Sequence, residues 1–215
     1  MNTMFAAVEA WRAERIGRFT ASEIYKLMQS GKKGEYFGAG AMTYIMEVVG
    51  EIITGETPEE SARAIEWGWA NEYEAIQEYE RRTGVSVQYY GSGQPKFVPY
   101  NDVAGGSPDG EVGTHKLIEV KCPYNSGNHV KFLSMKGQQD LKEKNYEYFC
   151  QAQFNLRCTK REIADFLSYD PRVIDRRLCM AIIEVNRDEE LIKELEERID
   201  AATDIVKTIL QKFSL

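Results

Sequence analysis

Apolar residues recur along this chain with two different periods, and the changes of period mark its elements. A helical spacing runs from Phe5 to Ile16, and Thr20-Ala21-Ser22-Glu23 then offers a cap for a second helix through about Gln29. Gly31 to Gly40 reads as a loop, Met42 to Thr54 as a helix ended by Gly55 and Pro58, and about Ser61 to Thr83 as a longer helix. Alternating patterns predict strands at Val85 to Tyr90, Lys96 to Tyr100 and Lys116 to Cys122, joined as a meander by turns at Gly91 to Gly93 and Gly105 to Gly110. A polar loop with Gly127 and Gly137 leads to a helix over Tyr146 to Leu156, then to strands at Glu162 to Tyr169 and Leu178 to Val185. A final helix has Leu191, Leu195, Ile199, Ala202, Val206, Ile209 and Phe213 on its apolar side. This order predicts an α/β fold with a mixed central β-sheet flanked by helices.

Two of these patterns carry charge where it has to be explained. In Lys116 to Cys122 the alternation puts Ile118 and Val120 on one face and Glu119 and Lys121 on the other. Asp109, between Pro108 and Gly110, sits in a turn beside a neighbouring strand, so its carboxylate can lie next to Glu119. Two hard oxygen ligands suit Mg²⁺ and, with a lysine beside them, suit the handling of a phosphate. The same residues would also fit a surface hairpin with a charged outer face. In the long helix the apolar stripe Ile65, Trp69, Ile76, Tyr79 is completed by Glu72, an acid on the inward side. Such a carboxylate needs a cation, a hydrogen-bonding partner or a route to water.

Composition narrows the choice. The chain has 215 residues, 43% of them hydrophobic, enough for one well-cored domain over 1–215. No apolar run approaches the roughly 20 residues of a membrane span, and the first residues lack a signal-peptide pattern, so a cytoplasmic protein with no membrane partner is expected. Cys122, Cys150, Cys158 and Cys179 form no Cys-x-x-Cys pair, which argues against zinc and for reduced, buried thiols. The net charge of −7 works against nucleic-acid binding, but it is segregated. Six basic residues against two acids lie between Arg12 and Lys33, whereas Glu56 to Glu80 carries eight glutamates against one arginine. A basic mouth on an acidic body can hold DNA without wrapping it.

Taken together, Trp11 with Arg15, Thr20-Ala21-Ser22-Glu23, Trp67-Gly68 followed by Glu72, Gly84-Val85, Ser107-Pro108-Asp109-Gly110, Glu119-Val120-Lys121-Cys122-Pro123, Gln151-Ala152-Gln153 and Tyr169-Asp170-Pro171-Arg172 resemble the lambda exonuclease or YqaJ-type viral recombinases of the PD-(D/E)xK nuclease superfamily. The resemblance spans most of the chain and implies a restriction-endonuclease-like core. It implies that Asp109, Glu119 and the Val120 carbonyl hold Mg²⁺ or Mn²⁺, with Glu72 contributing directly or through water. Lys121 would orient or deprotonate the attacking water, provided that desolvation and the cation lower its pKa. Gln151 would position the water or Lys121, or else simply bond to nearby backbone, and Gln153 points elsewhere.

The resemblance further implies a pocket for a 5′ phosphate made from Arg15, Ser22 and Ser107. Ser22 also suits a plain helix cap. Ile65 falls where the family places an apolar side chain that helps separate the end base pair, although it also heads a core stripe. The expected activity is a Mg²⁺-dependent 5′→3′ exonuclease on linear double-stranded DNA, leaving 3′ single strands for a single-strand annealing protein. Family members can form ring-shaped homotrimers. The chain departs from the family in its basic loop Ser30-Gly31-Lys32-Lys33-Gly34, preceded by Gln29 rather than arginine, and in the short stretch before Trp11. The alternatives are a structure- or sequence-specific endonuclease of the same superfamily and a catalytically inactive DNA-end-binding scaffold.

Overall fold

The computed structural model describes residues 3–57, 62–91 and 94–214, with side chains for all of these except residues 3–5, 33 and 62–65. Its centre is a mixed five-stranded sheet in the order β2-β5-β6-β7-β8, formed by Gln88–Tyr89, Gly110–Val112, Lys116–Lys121, Ile163–Tyr169 and Met180–Asn186. β6 and β7 are parallel, with Lys121 level with Ser168, and every other pair in this sheet is antiparallel. The alternation of β6 works as its sequence requires. Ile118 and Val120 pack with Leu167 and Tyr169 against Ala75, Ile76 and Tyr79 of α3 (Ala62–Thr83). Leu117 and Phe166 face the larger core on the other side, shared with α2 (Ala39–Thr54), α6 (Tyr146–Thr159) and α7 (Glu189–Lys212).

Helix ends follow local chemistry. α2 stops at Gly55, which adopts the left-handed conformation (φ 72°) that a side chain disfavours. α7 starts at Asp188, whose carboxylate accepts from Leu191 N at 3.1 Å, with Glu189 and Glu190 in the first turn complementing the helix dipole.

Several expectations are corrected. The second helix does not form: Phe19–Thr20 is a strand, β1, parallel to β4 (Ala104–Gly106), and only a 3-10 turn at Ile24–Met28 follows α1 (Thr3–Arg15). β4 also pairs with β3 (Val98–Pro99), so the meander is split between two sheets, and of Gly105 to Gly110 only residues 107–109 lie between strands. The polar loop around Gly127 and Gly137 contains two helices, α4 (Ser126–Leu133) and α5 (Gln138–Lys144), the first capped by Asn125 accepting from Gly127 N. Phe213 is exposed rather than part of the α7 stripe, and Cys122 is only half-buried, whereas the other three cysteines are buried and all four are free. Ser61 and most of the turn at Gly91 to Gly93 lie outside the described residues. Among the described residues no helix is long and apolar enough to cross a membrane.

Polar groups inside the sheet layer are paired. Asp165 on β7 is buried, accepts from Tyr79 Oη at 2.6 Å and pairs with Lys116 at 2.9 Å, joining α3 to two central strands. Truncating Asp165→Ala would strand a buried phenol and leave Lys116 with the exposed Glu184 in place of its buried partner, so denaturant titration should show a loss of about 2–4 kcal/mol. Glu78 on α3 is held well below the usual carboxylate range, at about 2, by its hydrogen bond from Arg81 and then by Arg82, against the opposing effect of burial. A depressed folded-state pKa contributes stability above the unfolded value of 4.5 that is lost as pH falls towards 2. The acid limb of the stability curve should therefore flatten in Glu78→Gln, measured by urea titration across that range.

Candidate active site

β6 delivers Glu119 and Lys121 to the α6 side of the sheet, where Glu119 is 1% exposed. A carboxylate that deep requires full compensation. Lys121 Nζ pairs with its Oε1 at 2.9 Å, Gln151 Nε2 donates to the same oxygen, and Asn155 Nδ2 donates to Oε2 at 2.9 Å. Gln151 and Asn155 stand four residues apart on α6, one turn, so both reach the same acid. Asn155 Oδ1 has no hydrogen-bond partner among the described residues and faces Gly106 of β4, where a Cβ would run into it. Glycine at 106 thus gives Asn155 its room.

Asp109 immediately precedes β5, and the antiparallel register that pairs Gly110 with Ile118 sets it beside Glu119. Its backbone N–H donates to Ile118 O, and its Oδ2 accepts from Val120 N at 2.6 Å. Glu72, half-buried on α3, accepts from Tyr89 Oη at 2.9 Å and shares a hydrogen bond with Asp109. The inward position read from the helical stripe is therefore real, and its partners are a phenol and a second carboxyl. Burial, then the charges of Glu119 and Glu72, push Asp109 well above the usual carboxylate range, and burial likewise raises Glu72. Burial alone would lower Lys121, as the sequence suggested, but the charges of Glu119 and Asp109 outweigh it and hold the lysine upward and cationic. Its ammonium also lies 5.2 Å from the Tyr148 ring centroid.

The carboxylates of Asp109, Glu119 and Glu72 and the neighbouring Val120 carbonyl supply hard oxygens of the kind a divalent cation takes, with the Lys121 ammonium beside them. Among the described residues no trio of His, Cys, Asp and Glu side chains stands in a ready-made cage.

A second cluster lies two residues upstream of Asp109. Ser107 Oγ accepts from Trp11 Nε1 at 2.9 Å and from Arg15 Nη1 at 3.3 Å, and the Arg15 guanidinium stacks on the Trp11 ring at 4.5 Å. Continuing the parallel register of Thr20 with Gly105 brings Ser22 level with Ser107, and Ser22 Oγ lies 3.2 Å from Thr20 Oγ1. Ser22 precedes a short 3-10 turn and makes no helix cap there. The side chain of Ile65 is outside the described residues. Gln153 is buried on another side of α6, bonding to Asn186 O and Asp188 N and so fixing the corner between β8 and α7. Much of the basic N-terminal segment is engaged within the protein: Lys26 pairs with Glu23, and Arg18 donates to Asp102 O and Glu14 O.

The sequence reading missed Asn155 and gave Tyr148, on the same helix, no role. A hydrophilic residue one turn after Gln151 was the available indication of the former.

The sequence profile of the YqaJ-like viral recombinase domain matches residues 10–162. No curated protein matches the chain at a significant level. Among solved structures, the alkaline exonuclease LHK-Exo from Laribacter hongkongensis is 30% identical, with 96% of each chain covered and a TM-score of 0.80. The same exonuclease in complex with dAMP is 31% identical, with 95% of each chain covered and a TM-score of 0.79. A phage related exonuclease from Haemophilus somnus 129PT shares the fold at 17% identity and a TM-score of 0.77, over 91% of this chain and 96% of that one. With a family match across more than half its length, acids and lysine gathered at one sheet end and exonucleases as its structural relatives, the chain belongs to the YqaJ-like viral recombinase family and is a nuclease of the recombinase type.

Proposed function

We propose that this nuclease is a divalent-metal-dependent 5′→3′ exonuclease that hydrolyses one strand of linear double-stranded DNA from 5′-phosphorylated ends. It releases 5′-mononucleotides and leaves 3′ single strands for a single-strand annealing protein. The observation that carries this reading is the continuity of the two clusters: Ser107, bonded to Arg15, and Asp109, beside Glu119 and Lys121, stand two residues apart in one segment. A terminal phosphate and a scissile phosphate can thus be held by neighbouring groups.

Mg²⁺, for which Mn²⁺ can substitute, held by Asp109, Glu119 and the Val120 carbonyl with Glu72 alongside, would offset charge on the phosphoryl oxygens and acidify water. Such an ion usually takes only one or two carboxylates, with water and substrate phosphate completing its shell. Lys121, kept cationic by its neighbours, orients the attacking water and offsets phosphoryl charge. Gln151 and Asn155 fix the rotamer of Glu119. The water oxygen adds to phosphorus as the P–O3′ bond breaks, so the departing nucleotide keeps its 5′ phosphate and the next nucleotide presents a new one. Arg15, Ser22 and Ser107 receive that new end through charge-assisted hydrogen bonds. The relative crystallised with dAMP, a mononucleotide, supports this product class. A ring-shaped homotrimer would keep a chain of net charge −7 on DNA by topology, and the reaction would take place in the bacterial cytoplasm.

Linear duplex labelled at its 3′ ends should be converted to long labelled single strands, faster from 5′-phosphate than from 5′-hydroxyl ends, while covalently closed circles stay intact. Lys121→Ala should lose at least about 10²-fold in rate, and Ser107→Ala should lose most of the preference for the phosphate. Cleavage of circles would contradict the exonuclease reading.

Asp109, Glu72 and Glu119 repel one another, so the charges that serve the cation cost stability without it. In EDTA, Asp109→Asn can retain the bond from Val120 N and donate to Glu72. Its Tm should therefore rise by about 2–4 °C, the equivalent of about 1 kcal/mol in a chain of this size, by scanning calorimetry.

A further inference from the structure

Two sequence motifs, Trp67-Gly68 and Tyr169-Asp170-Pro171-Arg172, take no part in the acid cluster or in the Arg15 cluster, yet the fold joins them. The Arg172 guanidinium lies over the Trp67 ring at 4.5 Å, and the Tyr124 ring meets Trp67 edge-on at 5.8 Å and 85°. Arg172 is locked in place by a two-pronged pair with the fully buried Asp170, at 2.8 and 2.9 Å, and by a bond to Pro123 O at 3.1 Å. Trp67 Nε1 is buried with no hydrogen-bond partner among the described residues, so stacking rather than hydrogen bonding sets the indole's place. Tyr124 remains 60% exposed. A planar guanidinium and two aromatic rings are thus held rigidly while part of the surface they make is open to solvent.

The position of this group matters as much as its chemistry. Tyr124 follows Lys121 by three residues and Asp170 follows Ser168 by two, and Lys121 and Ser168 are level in the parallel β6–β7 pair. Trp67 precedes Glu72 by five residues on α3, a rise of about 7.5 Å. The group therefore stands at the same sheet end as the reacting centre. The charge of Arg172 is already met by Asp170, which makes the group a poor phosphate clamp and a good stacking surface. A base has a π-face whatever its identity, and stacking on such a platform is sequence-tolerant.

From this juxtaposition we infer that Trp67, Tyr124 and Arg172 form a stacking platform for an unpaired nucleobase of the strand being hydrolysed, next to the scissile phosphate. Tyr124 is its solvent-facing contact. Trp67 and Arg172 are positioning residues that fix it. The inference rests on the nuclease reading, because it takes the strand's path from the position of the reacting centre.

The test uses the Lys121→Ala protein, whose expected loss of at least about 10²-fold in rate spares the DNA during the measurement, and a short fluorescent 5′-phosphorylated oligodeoxynucleotide, with and without abasic sites at its 5′ end. Adding Tyr124→Ala should weaken binding of the intact strand about tenfold. Tyr124→Phe should preserve it, and the abasic strand should bind both proteins equally. Because Tyr124 is exposed, its truncation leaves the core untouched. Equal binding of the intact strand with and without Tyr124, or an equal loss on the abasic strand, would overturn the platform. Failure of the wild-type protein to cut any DNA would instead refute the nuclease reading, and the binding comparison separates the two.

Discussion

The structure of the site depends on one buried carboxylate. Glu119 is almost wholly removed from water, and a lone ion there would cost several kcal/mol, so its environment has to supply a cation and hydrogen-bond donors. Those donors come from two elements, Lys121 on the same strand and Gln151 with Asn155 on α6. α6 must approach the sheet closely for this, and it does so only because Gly106 has no side chain to meet Asn155. The second, smaller sheet is thereby placed as well, since Gly106 belongs to β4, which carries the chain on to Ser107 and Asp109. One ionic requirement therefore coordinates a strand, a helix and the segment that bears Ser107 and Asp109.

The same requirement explains how an acidic protein handles a polyanion. Lys26 is paired and Arg18 is bonded to backbone, whereas Lys121 and Arg15 stand among acids or aromatic rings at the two places proposed here to hold a phosphate. Local cations set within a negative surround confer discrimination more than bulk affinity. On the proposed reading, the three acids, costly to one another, represent stability given up for a cation's grip.

What could be read from the sequence follows from how far each feature depends on its neighbours in space. The β6 alternation and the apolar stripes of α3 and α7 need only local periodicity, so Glu119, Lys121 and the inward Glu72 were legible, as was Asp109 from its Pro-Asp-Gly turn. Strands of two residues such as Phe19–Thr20 and Val98–Pro99 have no period to detect, and the tendency of Thr20 to Glu23 to cap a helix was overridden by pairing with β4. α4 and α5 were hidden by polar, glycine-bearing sequence. Asn155 looked like any hydrophilic residue on a helix, because its role exists only through Glu119, 36 residues away, and Gly106.

The central claim is that Asp109 and Glu119 together hold a divalent cation at this buried site. Isothermal titration of Mn²⁺ into the wild-type protein and into Glu119→Gln, with folding checked by circular dichroism, addresses it directly. The expected result is saturable binding by the wild-type protein that is lost in the variant while its spectrum is unchanged. Equal Mn²⁺ affinity in the two proteins would show that the cation is held elsewhere and would contradict the account.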